Sequence, residues 1–216
     1  MRKKIMLVVL MGLGLSFEGF SQNQKHEAVD LGLNVKWAKC NVGANTPEEY
    51  GDYFARGETM TKDTYTDDNN VWKKLSADYL LKDFDKEKFL SKGALDGDGN
   101  LTAKYDAASV NWGGSWRLPT IDEMMELREK CTWEWTTLNG VNGYEVTGPN
   151  NNSIFIPAAG IRVGSELNYS GTMGTYWTSS TFDDFIFGVF FYIEPTYYYW
   201  SNTDRSDGFS VRAVTE

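Results

Sequence analysis

Asn111-Trp112-Gly113-Gly114-Ser115-Trp116-Arg117-Leu118-Pro119-Thr120, running into Ile121-Asp122-Glu123, joins two kinds of local structure without a break. Trp116 and Leu118 are expected in the core, and Pro119 ends the extended segment. Thr120, with Glu123 three residues on, forms a capping box that opens a helix. Met124, Leu127 and Cys131 recur behind it at helical spacing, which predicts packing on a sheet. Arg117 is surrounded by turns, where a guanidinium serves best by satisfying buried carbonyls.

Downstream, Thr132 to Leu138, Tyr144 to Thr147 and Ser153 to Pro157 read as three strands, separated by Asn139-Gly140, Asn142-Gly143 and Gly148-Pro149-Asn150. Short turns of that chemistry imply an antiparallel meander. Tyr176 to Ser179, Val189 to Ile193, Tyr197 to Trp200 and Phe209 to Val214 are further short strands bounded by turn residues. Upstream, the alternation from Val29 to Trp37 predicts one early strand, and Thr46-Pro47-Glu48-Glu49 predicts a short helix carrying Tyr50, Tyr53 and Phe54. Residues 59 to 105 are expected to be loops and small helices, with an amphipathic stretch near Leu80 to Leu90. The expected class is α+β: short antiparallel strands, two main helices and long loops.

Arg2, Lys3 and Lys4 precede the apolar run Ile5 to Leu15, and Gly19-Phe20-Ser21 precedes Gln22. This reads as a signal peptide over 1–21, with too short an apolar core to span a membrane. A short segment, 22–27, then leads to one expected domain over 28–216. The chain holds 21 basic and 30 acidic residues, and without Arg2, Lys3, Lys4 and Glu18 it holds 18 and 29, a net charge of −11. Such a surface repels phosphate backbones and argues against nucleic acid as a partner. Cys40 and Cys131 can form one bridge or remain two buried thiols, and an exporting compartment permits either.

Val29-Asp30-Leu31-Gly32-Leu33, Trp37-Ala38, Asn41-Val42-Gly43-Ala44, Tyr50-Gly51-Asp52-Tyr53-Phe54-Ala55, the Asn111 to Thr120 segment, Pro157-Ala158-Ala159-Gly160, Tyr176-Trp177-Thr178-Ser179-Ser180 and Gly208-Phe209-Ser210-Val211-Arg212 form a set of motifs. Taken together they resemble the Fibrobacter succinogenes major paralogous domain family. They stand in the family's order and cover essentially 28–216. The resemblance implies a C-type-lectin-like fold. It also implies kinship with formylglycine-generating enzymes and with the variable proteins of diversity-generating retroelements. The family is common in secreted proteins of Bacteroidetes. In the variable proteins the segment between a Trp-Ser-Ser type strand and a closing Val-Arg strand carries diversified ligand contacts, a place filled here by residues 181 to 207. That such a retroelement mutates this tail is a further expectation, to be settled by a near-copy in neighbouring DNA that differs at adenines.

The tail is also unusual as chemistry. If Val189, Phe191 and Ile193 face inward, Phe190, Tyr192 and Glu194 face out, and Tyr197 and Tyr199 flank an inward Tyr198. Tyr and Trp supply rigid contact area, and Ser, Asn and Asp supply adaptable hydrogen bonds. The candidate ligand-binding residues are therefore Phe182, Asp183, Asp184, Phe185, Tyr192, Glu194, Tyr197, Tyr199, Trp200, Asn202, Asp204, Arg205, Ser206 and Asp207. Glu194-Pro195-Thr196 reads as a hairpin turn rather than a calcium-lectin motif. Asp96-Gly97-Asp98-Gly99-Asn100 reads as a solvated turn, because Leu101 and Ala107 stand where a calcium loop needs Gly and an acid. The single histidine, His26, leaves no material for a Ser-His-acid triad or a His-based zinc site. No cofactor or metal is expected. The expected function is non-catalytic recognition of an extracellular protein or glycan by a secreted or surface-exposed protein. The alternatives are a structural subunit meeting a surface-assembly partner, and an enzyme of the formylglycine-generating or glycoside-acting kind.

Overall fold

The computed structural model describes residues 26–72, 86–182, 187–203 and 205–216, with no side-chain account of 182 and 187. The leader and most of the amphipathic stretch before Leu90 lie outside the described residues. The protein is a mixed α+β fold of short antiparallel strands with few helices. β1 (Ala28–Val29), β2 (Lys36–Ala38) and β11 (Val214–Thr215) form one small sheet in the order β1-β2-β11, which clasps the two ends of the described chain together. β3 (Thr132–Leu138), β4 (Val141–Thr147) and β5 (Ser153–Pro157) form the expected meander, with Trp135 opposite Tyr144 and Tyr144 opposite Ile156, but Asn142 and Gly143 are not a turn: they pair within β4 opposite Thr137 and Thr136. β6 (Ile161–Val163) and β7 (Glu166–Asn168) make a separate ribbon. β8 (Gly174–Phe182), β9 (Phe187–Glu194) and β10 (Tyr197–Thr203) form the third sheet, with β10 at its edge.

β8 and β9 pair regularly from Gly174↔Ile193 to Trp177↔Phe190, lose register, and resume at Thr181↔Gly188. Thr178, Ser179 and Ser180 thus stand opposite Val189 alone, and their carbonyls need other donors. Arg56 supplies them. Its Nη1 donates to Thr178 O at 2.7 Å, and its Nη2 donates to Ser179 O at 2.9 Å and Ser180 O at 2.6 Å. The Arg56 side chain is fully buried. Burial, then the charge of Arg205, pulls its pKa down to about 9, so it stays cationic at neutral pH. The Leu101 amide also donates to Ser179 O, and the Ser179 and Thr181 amides reach Pro119 O and Gly99 O.

A second buried guanidinium, Arg212, does similar work across other elements. Its Nε donates to Asn41 Oδ1 at 2.8 Å, Nη1 to Ala38 O and Lys39 O, and Nη2 to Phe155 O at 2.9 Å. Around these polar centres the core divides into two main clusters. One gathers Phe54, Trp72, Trp177 and Phe209; the other gathers Trp37, Met124, Tyr176, Phe191 and Ile193.

Helix α1 (Lys86–Ser91) and helix α2 (Ala107–Trp112) are short, and α3 (Ile121–Lys130) is the main one. Thr120 Oγ1 accepts the Glu123 amide at 3.2 Å, and the Glu123 carboxylate accepts the Thr120 amide at 2.8 Å, which completes the expected capping box. Met124 and Leu127 are buried below it. Burial pushes the Glu123 pKa up, but the Arg117 hydrogen bonds and the Thr120 amide outweigh it and leave it depressed.

Several expectations need correction. Val29 to Trp37 is not one strand: a bend over 32–35 turns it into the antiparallel pair β1 and β2. Asp30 Oδ1 accepts the Gly32 amide at 2.7 Å, and Gly32 adopts φ +76°, so an Asp-turn followed by glycine breaks the alternation. The Thr46 segment forms turns, not a helix. Glu49 satisfies the Asn45 amide at 2.7 Å, and Gly51 at φ +71° ends any helical path. Of Phe209 to Val214, only the end is strand; Phe209 and Ser210 make single bridges to Phe54 and Tyr176. Arg117 serves a carboxylate before a carbonyl, donating to both Glu123 oxygens at 2.8 and 2.6 Å. Leu118 is buried, while Trp116 is half-buried against Trp112. The Asp96 turn is closed by its own amides: Asp96 Oδ1 accepts Asp98 N and Asn100 N. Among the described residues no helix is long and apolar enough to cross a membrane.

Arg56→Ala leaves the buried carbonyls of Thr178 and Ser180 without a donor and Ser179 O with the Leu101 amide alone, a loss of about 3 kcal/mol. Thermal unfolding is expected about 10 °C lower, at roughly 2–4 °C per kcal/mol for a domain of this size. Arg56→Lys is expected to recover only part of it, because an ammonium lacks the planar fork. A melting point unchanged in Arg56→Ala would contradict the assignment.

Candidate functional site

The β9–β10 hairpin turns through Pro195 and Thr196 and pairs Tyr197 with Glu194, Tyr199 with Tyr192, and Asn202 with Val189. Alternation then sorts the side chains between two faces. Ile193, Phe191 and Val189 are buried, as expected, and Tyr198 lies half-buried on the same face, stacked on Trp133 at 4.7 Å. Trp200 shares that parity and packs against the same cluster, so its large ring belongs to the core side rather than the outer face.

On the outer face, Phe190 is not free as expected, because Phe209 and Trp177 cover it at 4.9 and 6.2 Å. From there the rings run outward. Phe190 meets Tyr192 at 6.1 Å, Tyr192 meets Tyr197 at 5.6 Å, and Tyr197 stacks on Tyr199 at 6.2 Å. Tyr197 is 48% exposed, and Glu194 beside it is exposed. Burial, then the hydrogen bond with the Tyr197 hydroxyl, pushes the Tyr192 phenol up to about 12. The Tyr192 phenol therefore stays a neutral donor and acceptor across the physiological range. Tyr144 fixes the hairpin from behind by donating its hydroxyl to Glu194 O at 2.8 Å.

The fourteen candidate residues do not form one patch. Tyr192, Glu194, Tyr197 and Tyr199 gather near the Pro195 turn. Phe182 pairs with Phe187 at the other end of β9, an eight-residue strand roughly 23 Å long. Asp183, Asp184, Phe185 and Asp204 lie outside the described residues, as does the Phe182 side chain. Asn202 is exposed at that far end. Arg205 O accepts the Arg56 amide and Asn70 Nδ2, and Ser206 is buried, so this segment is tied to the Arg56–Asn70 loop. Asp207 follows, half-buried.

Arg128 is the residue that the sequence reading missed. It sits in the last turn of α3 with its guanidinium 5.0 Å from the Tyr199 ring and 6.0 Å from the Tyr198 ring. Its place one residue after the buried Leu127, on the flank of the apolar stripe, was the signal available.

A separate cleft of about 380 Å³ is lined by His26, Glu27, Lys39, Cys40, Asn45, Pro47 and Trp112, among others. His26 stacks on Trp112 at 3.8 Å, and burial lowers its pKa. Burial raises the Cys40 thiol, so it stays protonated at neutral pH and is a poor nucleophile. No group of three or more metal-ligating side chains occurs among the described residues. Comparison with protein-family models, curated proteins and solved structures finds no match for the chain.

The two cysteines are free, which corrects the bridged alternative. Cys40 lines the cleft beside His26, whereas Cys131 ends α3 and packs against the cluster containing Leu127 and Trp133. Unfolded without reductant, the protein is expected to take up two alkyl groups by intact mass. A protein that resists alkylation until reduced would show a bridge instead.

Proposed function

We propose that this is a secreted or surface-exposed recognition protein with a C-type-lectin-like fold, binding a glycan or protein ligand through the outer face of β9 and β10 and performing no catalysis. The ring series Tyr192, Tyr197, Tyr199 carries the reading: three tyrosines 5.6 and 6.2 Å apart, open to solvent at Tyr197, on a hairpin whose other face is locked into the core. An exposed ring held rigidly loses little entropy when a ligand covers it, and its hydroxyl adds a directional contact. The leader motif supports export, and the set of family motifs supports the lectin-like fold. The protonated Cys40 and the stacked His26 weigh against a thiol nucleophile.

A second reading, a subunit of a surface assembly, is favoured by the position of β10 at the edge of its sheet, where a partner strand can add. Glycan and host-protein arrays with and without calcium, followed by sedimentation of the free protein, separate the two. The first reading expects a specific hit that Tyr197→Ala with Tyr199→Ala weakens at least tenfold, about 1.4 kcal/mol, while circular dichroism is unchanged. Self-association through this face, or hits indifferent to the double substitution, would contradict it.

A further inference from the structure

Arg128 differs from the other arginines whose contacts define the fold. Both Nη groups of Arg56 are taken by carbonyls although its Nε has no partner, Arg212 bonds carbonyl oxygens through Nε and both Nη groups, and Arg117 is held by Glu123. Arg128 is half-buried, its Nε is enclosed without a hydrogen-bond partner, and no ion pair among the described residues includes it. The other carboxylates of α3 that point to a cation are taken: Glu123 holds Arg117, and Glu126 holds Lys130 at 2.7 Å. A partly desolvated guanidinium lacking a carboxylate, in a chain with nine more acids than bases, is an unmet demand for an anion.

Its position relates that demand to the outer face. The guanidinium lies over Tyr199, and Tyr199 stacks on the exposed Tyr197 at an interplanar angle of 26°. Cation and rings thus form one run. The outer positions nearest the Pro195 turn are Tyr192, Glu194, Tyr197, Tyr199 and Ser201, without a branched aliphatic side chain among them. Such a surface suits the C–H faces and hydroxyls of sugar rings better than the aliphatic side chains of a peptide. The planar fork of arginine fits a carboxylate through two parallel hydrogen bonds.

We infer that the β9–β10 face binds an acidic saccharide, with the carboxylate of a uronic or sialic acid residue on Arg128 and the neighbouring sugar ring on Tyr197. This rests on the proposal that the face is a ligand site at all, and it names the class of ligand. Glu194, at the turn, is left to meet hydroxyls rather than the acid group.

The test uses matched pairs: galacturonic acid oligomers against galactose oligomers, sialyllactose against lactose, and a sulfated galactose as a third arm, titrated calorimetrically into the protein. The carboxylated member of at least one pair is expected to bind about tenfold tighter or more. Arg128→Gln is expected to erase that preference while leaving weak neutral binding, and Arg128→Lys to restore part of it. Tyr197→Ala is expected to weaken both members of the pair. A preference that survives Arg128→Gln, or a sulfated sugar bound as well as the carboxylated one, would overturn the assignment. Neutral sugars bound through Tyr197 with no acidic preference would overturn it while leaving the recognition site intact. Absence of binding in every arm would overturn the saccharide assignment, and array hits on proteins that still depend on Tyr197 would then separate that failure from failure of the site itself.

Discussion

The three hydrogen bonds from Arg56 to Thr178, Ser179 and Ser180 hold the place where β8 departs from the register of β9. A strand that bulges this far exposes carbonyls on its way through the interior, and unsatisfied ones would cost more than the bulge gains. One planar cation, reaching across 122 residues of sequence to Thr178, serves all three. The same guanidinium lies 5.9 Å from the Trp177 ring, which stacks on Phe209 at 4.2 Å, so the polar hub and one apolar cluster share a wall. Gly188 is the counterpart on β9: a Cβ there would lie 2.4 Å from Arg56 Cδ and 2.5 Å from Trp177 Cζ3.

This arrangement separates scaffold from display. β8 and the inner parity of β9 and β10 are committed to the core, through Tyr176, Phe191, Ile193 and the Tyr198 to Trp133 stack. The outer parity begins under Phe209 and emerges at Tyr197. A ring series that starts in the core and ends in solvent is rigid at its root, which is the property a recognition surface needs and a mobile loop lacks.

How much of this was legible follows from the range of the forces involved. The Thr120 capping box and the three-stranded meander are local, set by neighbours within a few residues, and the sequence reading located both. The strand over Val29 to Trp37 failed because its alternation also fits two short strands around an Asp-Gly turn. The Thr46 helix failed because a good N-cap cannot extend a helix past Gly51. Arg56 and Arg212 were beyond reach, since nothing local announces which carbonyls a guanidinium will meet. The candidate site was half legible. Period two placed Tyr192, Tyr197 and Tyr199 outward together and Tyr198 inward. The same rule, carried two residues further, puts Trp200 inward, and only the tertiary packing of Phe209 hides Phe190. The spread of the tail over both ends of β9 follows from strand length alone once the Pro195 turn is accepted.

Amide hydrogen exchange at residue resolution tests the central claim most directly. If Arg56 and the β8 bulge are the anchor of the fold, the amides of Leu101, Ser179 and Thr181, which bond into that bulge, exchange only through global unfolding and far more slowly than the β10 edge amides. Exchange at those three positions as fast as along β10 would contradict the account, and would mean that the bulge is a loose irregularity rather than the point on which the displayed hairpin rests.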